Sequence, residues 1–240
     1  MDGRQTNSRQ LQNRPLKKKF KTLLLQDDFE KGLSQISDIP ARKAVNPLFA
    51  FLCSLDELLK WRAVTAMGRV VTRLADEDME SARVIMRRCM WHLNDESGGI
   101  GWGCPEAMGE IMAGNENLAA EFWCILISYI RPDGNFLEHE ILQRGVLWGV
   151  GRLARARPLL LKDSVDYLIP FLQSQDPYLR GLAAWGSKTL RNQKIDAILR
   201  RLTADSATLS IFQGGHLRQC SVGQLAQEAL DDETNARPQF

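Results

Sequence analysis

The chain has 240 residues, 44% hydrophobic and 25% charged, so it holds enough apolar material for a substantial core and too little polar bias for a disordered chain. The net charge of +2 is unevenly spread: residues 1–21 hold Arg4, Arg9, Arg14, Lys17, Lys18, Lys19 and Lys21 against Asp2, leaving 24 basic and 28 acidic residues for the rest. A body of about −4 lacks the electrostatic footprint of a duplex-DNA binder. The longest apolar stretch, Phe122 to Ile130, is too short to cross a bilayer.

In chain order, residues 1–14 read as a disordered basic tail and residues 15–40 as an N-terminal capping helix region opened by Pro15. The Lys17 to Lys21 run falls on the exposed side of that helix, where it is available to an acidic partner. Helices are expected from about Val45 to Leu55 and from Glu57 or Leu58 to Leu74. Met79 to Leu93 has the clearest amphipathic pattern, with Ala82, Ile85, Met86, Cys89, Met90 and Leu93 at steps of three and four. Further pairs combine Pro105–Met112 with Leu118–Ile130, Leu142–Ala156 with Val165–Leu172, and Pro177–Leu190 with Gln193–Leu202. Residues 231–240 read as a polar tail.

Five glycines stand inside apolar helical stretches, Gly68, Gly109, Gly151, Gly186 and Gly223, with gaps of 41, 42, 35 and 37 residues. A recurrence of that length marks stacked helical pairs, each unable to bury its apolar face alone. The expected fold is therefore all-α, a right-handed α-solenoid of about five helical pairs over residues 41–230. Each of the five glycines is expected at a close helix crossing.

The segment Asp176-Pro177-Tyr178-Leu179-Arg180-Gly181-Leu182-Ala183-Ala184-Trp185-Gly186 resembles the inner helix of HEAT-type repeats, and Trp61–Gly68 and Gln143–Gly151 match the same frame. The resemblance implies that Arg62, Arg144 and Arg180 are ladder residues between repeats. A second set of segments, Ala82–Arg88, Trp91–Gly103 and Leu142–Gly149, resembles a HEAT-like family of sulfate-reducing and related anaerobic bacteria. That resemblance implies a host and no chemistry.

The least generic segment is the connection Asn94 to Glu106, with an acidic turn at Asp95 and Glu96, four glycines, Trp102 and Glu106. Such density lets backbone approach a ligand closely. A second cluster is Glu138, His139 and Glu140, leading into Arg144 and Trp148. Trp91, off the core stripe of its helix, completes the candidate set for ligand or partner contact. Cys89, His92, Cys104 and His139 lack a tight second ligand pair, so no metal site and no cofactor is predicted. The single His-Glu pair is too few for the HEAT-type diiron hydroxylases. Five widely spaced cysteines read as reduced thiols of a cytoplasmic protein.

The leading functional expectation is a non-enzymatic scaffold presenting a concave helical surface to a protein partner or a small polar ligand. The alternative is an enzyme or a cofactor- or metal-binding protein using the Asn94–Glu106 loop with Glu138–Trp148. A HEAT-like DNA glycosylase is the remote alternative, disfavoured by the acidic body.

Overall fold

A computed structural model describes residues 3–94 and 101–231, with side chains from Arg14 onward. Two helices, α1 (Gly3–Leu25) and α2 (Phe29–Ser37), close one end of the array. Helix α1 starts at Gly3, so it covers most of the segment read as a tail and carries Pro15 inside rather than at its start. The array continues with α3 (Ala41–Leu52), α4 (Glu57–Glu77), α5 (Met79–Leu93), α6 (Cys104–Gly114), α7 (Glu116–Ser128) and α8 (Glu140–Ala156). After α9 (Pro158–Leu161), a 3-10 segment over Lys162–Leu168 and α10 (Ile169–Leu172) come α11 (Pro177–Gly186), α12 (Gln193–Leu202) and, after a hairpin, α13 (Val222–Leu230).

Helix starts follow local chemistry. Asp28, Asp56, Asp78, Asn115, Asp176, Asn192 and Ser221 each accept a hydrogen bond from a first-turn N–H, and Ser221 with Gln224 completes a capping box. Helices α4, α6, α8, α11 and α13 stack in that order as one inner row, while α3, α5, α7, α10 and α12 pack beside it. Each of the five recurrent glycines lies on an inner helix. A Cβ on Gly109 would stand 2.4 Å from Gly149 Cα, and one on Gly151 would stand 3.0 Å from Gly186 Cα, so α6, α8 and α11 approach to near backbone contact. Gly68 faces Glu110 of α6. Gly223 departs from the expectation, because it abuts the Thr203 carbonyl and not a helix crossing.

The expected ladder arginines bond across the chain. Arg62 donates to the carbonyls of Leu24 and Gln26 at the end of α1, Arg144 to Asp176 and Arg180 to Asp205. Burial lowers the pKa of Arg62, opposed by the charge of Asp27.

One element is added to the all-α array. Strands β1 (Thr208–Gln213) and β2 (His216–Ser221) form an antiparallel hairpin with Gln213 opposite His216. Gly214 and Gly215 both have positive φ, 58° and 82°, as a two-residue primed turn requires. Leu209, Ile211 and Phe212 are buried. The hairpin lies across the inner row: Leu209 fills the space over Gly181 of α11, and Gly215 reaches Phe29 of α2.

Candidate functional site

The hairpin seats on an aromatic row supplied by α4, α8 and α11. Phe212 stacks on Trp61 with centroids 5.4 Å apart and planes 4° apart, and Trp148 donates its Nε1 hydrogen to the Phe212 carbonyl at 3.1 Å. Trp148 lies 4.7 Å from Trp61 and 6.0 Å from Trp185. A cleft opens on each side of this contact.

The larger, about 330 Å³, is lined by Phe29, Thr65, Glu110, Arg152, Arg155 and Trp185 among others. Its charges are closed on themselves. Arg152 Nε and Nη2 reach the two oxygens of Glu110 at 2.7 and 3.2 Å, and Arg155 donates to the Trp185 carbonyl while lying over the Trp185 ring.

The smaller cleft, about 230 Å³, is lined by Lys60 and Trp61 of α4, Glu106 of α6, Arg144 of α8, Tyr178 of α11 and Ser210 of β1, with Glu57, Gly145 and Trp148 also on its wall. Glu106 is only 3% exposed. One of its oxygens pairs with Lys60 Nζ at 2.7 Å, whereas Oε2 is buried with no hydrogen-bond partner among the described residues. A Cβ on Gly145 would stand 2.6 Å from that Oε2, so glycine is what leaves the carboxylate room. Lys60 also lies over the Trp61 ring at 4.9 Å, and Arg144, paired with Asp176 at 2.9 Å, lies over Tyr178 at 4.4 Å.

The residues singled out from the sequence fall in three places. Glu106, Arg144 and Trp148 meet in the smaller cleft. Glu138, His139 and Glu140 are exposed at the start of α8, where His139 is the N-cap without a side-chain cap bond and Glu140 Oε2 lies 3.9 Å from Arg144. Trp91, 64% exposed, and Asn94, the C-cap of α5, lie at the end of α5. Asp95 and Glu96 lie outside the described residues.

Trp102 is half-buried; its carbonyl accepts from the Cys53 thiol at 3.7 Å, and its Nε1 is buried with no hydrogen-bond partner among the described residues. Gly103 after it has φ 75° and would bring a Cβ within 2.7 Å of the Leu52 carbonyl, so this glycine serves the entry into α6.

Near this end of α6 is a cavity of about 380 Å³ whose lining includes Phe49, Cys53, Arg88, His92 and Cys104. Hydrogen bonding to Cys89 and burial raise the Cys104 thiol well above its ordinary pKa, and burial raises Cys53. Both thiols stay protonated at neutral pH, which is unlike an activated nucleophile. Among the described residues, no group of three or more His, Cys, Asp or Glu is placed to hold a metal ion.

Lys60, Tyr178 and Ser210 were not singled out from the sequence. Their signal was indirect: Lys60 immediately precedes the repeat frame at Trp61, and Tyr178 lies within the HEAT-like motif itself.

Stacked helical pairs with crossing glycines and ladder arginines define an all-helical HEAT-like repeat fold, here carrying one hairpin. A HEAT-like repeat family model matches residues 140–186, which run from the start of α8 to the end of α11. An uncharacterized protein of Archaeoglobus fulgidus is 25% identical over 190 residues, 77% of this chain and 94% of that protein. Among solved structures, a designed armadillo repeat protein in complex with the peptide (KR)4 aligns with TM-score 0.47 and 16% identity over 88% of this chain and 96% of that one. An engineered protein solved by a structural genomics consortium aligns with TM-score 0.48 and 16% identity over 89% and 94%.

Proposed function

We propose that the protein is a non-enzymatic binding scaffold that receives a protein segment or a small polar ligand in the cleft beside Glu106. The observation that carries this reading is Glu106 Oε2, buried and without a hydrogen-bond partner among the described residues. An unmet buried hydrogen-bonding atom costs about 1–3 kcal/mol, so its presence on a side chain in the wall of a cleft favours completion by a donor from outside. Glu106 sits on rigid helices, its neighbours Lys60 and Arg144 are already held, and Trp61, Trp148 and Tyr178 give the cleft an apolar wall. That mixture of apolar lining and few fixed polar groups suits ligand recognition.

The reading places the protein in the cytoplasm, on its reduced-thiol usage, and in an anaerobic host, on the family resemblance of Trp91–Gly103. The exposed Lys17, Lys18, Lys19 and Lys21 of α1 offer a separate contact for an acidic partner.

A fragment and dipeptide screen followed by NMR and tryptophan fluorescence tests the site. Hits are expected to perturb Trp61 and Trp148 and to lose at least tenfold in affinity in Glu106→Gln, with the fold retained. Hits that bind Glu106→Gln as well as the parent would place the binding surface elsewhere.

A further inference from the structure

Three features of the small cleft narrow what completes it. The first is Glu106 Oε2, a buried acceptor with no hydrogen-bond partner among the described residues, which calls for an N–H or O–H donor. The second is charge. Lys60 offsets Glu106, and Arg144 is paired with both Asp176 and Glu140, while Glu57 on the rim has no ion-pair partner among the described residues, so the cleft and its paired charges sum to two net negative charges. The third is size and wall. About 230 Å³ is below the range that encloses a whole drug-sized molecule, and the walls are aromatic rings that already carry resident cations, Lys60 on Trp61 and Arg144 on Tyr178.

The hairpin adds a fourth group. With Gln213 and His216 as the hydrogen-bonded pair at the turn, the alternation of an antiparallel ladder turns the backbone of Phe212 and Ser210 away from β2. The bond from Trp148 to the Phe212 carbonyl fits this phase. Ser210, which lines the small cleft, therefore offers an outward carbonyl on the same side of the hairpin.

From these features we infer that the small cleft is a subsite for a primary ammonium group, with Glu106 Oε2 as its anionic acceptor and Trp61, Trp148 and Tyr178 as its walls. The inference rests on the scaffold reading of this cleft and names what that scaffold takes. A lysine side chain on a peptide and a free alkylamine share the chemistry.

The test uses the full chain and tryptophan fluorescence. N-propylammonium and N-acetyl-lysinamide are compared with their neutral counterparts n-propanol and N-acetyl-norleucinamide, with sodium chloride as the ionic-strength control. The ammonium compounds are expected to bind at least tenfold more tightly than the neutral ones, and Glu106→Gln is expected to erase that difference.

Lys60→Ala gives the opposite sign. It leaves the carboxylate without its resident cation, so n-propylammonium should bind more tightly than to the parent and should raise the lowered Tm of the variant by more than it raises the parent's. Putrescine and a lysine-containing pentapeptide then separate the sources: a peptide tighter than N-acetyl-lysinamide assigns the subsite to a polypeptide, and putrescine tighter than the peptide assigns it to a free amine.

Equal binding of ammonium and neutral compounds at this cleft, or a Tm rescue matched by sodium chloride, overturns the ammonium assignment and leaves the scaffold reading standing. Absence of any ligand response at Trp61 and Trp148, with the variants folded, overturns both.

Discussion

Helix α6 carries two glutamates one turn apart, Glu106 and Glu110, and they end in opposite states. Both lie on the inner face, both border a cleft beside the hairpin, and both meet a glycine on a neighbouring helix, Gly145 for Glu106 and Gly68 for Glu110. Glu110 is gripped through both oxygens by the guanidinium of Arg152, whose fork matches a carboxylate. Glu106 is the more buried, yet Lys60 satisfies only one of its oxygens. A lysine is a point donor on a flexible stem and does not close a carboxylate as arginine does. The repeat thus uses one carboxylate to join helices and leaves its neighbour open, and position along a single helix separates structure from site.

The sharpest way to break this comparison is to remove each partner cation. Lys60→Ala strands a nearly buried carboxylate, and the expected loss is about 3–5 kcal/mol in a denaturant titration. Arg152→Ala removes a half-exposed guanidinium from a more accessible glutamate, and roughly 1 kcal/mol is expected. Equal losses for the two variants would mean that the two glutamates are equivalent, and the distinction between a closed and an open carboxylate would fail.

The hairpin is the other half of the comparison, because its seat between the clefts is what separates them. Phe212→Ala removes the ring stacked on Trp61, and a loss of about 3 kcal/mol is expected from the deleted burial and the remaining void. Tryptophan emission should shift to the red as Trp61 and Trp148 gain water. Unchanged emission with unchanged stability would show that the hairpin is not part of the core.

Much of the array was legible from the sequence because its signals are local. The stripe from Ala82 to Leu93 sits on a helix with the expected bounds, Met79–Leu93, and the recurrence of glycines marked the inner row. The hairpin was also written locally, as an alternating Thr208–Gln213 run followed by Gly214-Gly215, but the repeat reading of residues 41–230 assigns no element to the stretch after Leu202 and before Val222. What no local pattern contains is the seat of Phe212 on Trp61, or the pairing of Lys60 with Glu106 across stacked repeats.

Glu106 illustrates the limit. Its position just after Pro105 suits a helix start, and it does stand in the first turn of α6. Its burial and its open oxygen come from α4 and α8 closing around it. The groups near Glu138 and at the end of α5 were chosen for composition, and composition does not encode which edges of a solenoid meet.

A smaller effect tests the protonation state at the start of α6, where the thiols of Cys89 and Cys104 interact close to the phenol of Tyr129. Burial, with the charges of Cys89 and Cys104 adding to it, pushes the Tyr129 phenol up to about 12 from an ordinary value of 10. The folded state therefore holds the phenol proton more tightly than the unfolded state. Unfolding releases that proton once the pH exceeds about 10, so the contribution of Tyr129 to stability is full below that pH and is lost through the window from about 10 to 12. Each unit within the window corresponds to about 1.4 kcal/mol, so the loss between pH 10 and pH 11 is on the order of 1 kcal/mol. Tyr129→Phe removes the titrating group and should make this part of the profile less steep, leaving the alkaline decline due to the buried thiols, which begins at a lower pH. Denaturant midpoints of the parent and Tyr129→Phe across pH 9 to 11 measure the difference, and parallel profiles would show that Tyr129 ionises as freely in the folded protein as in the unfolded chain.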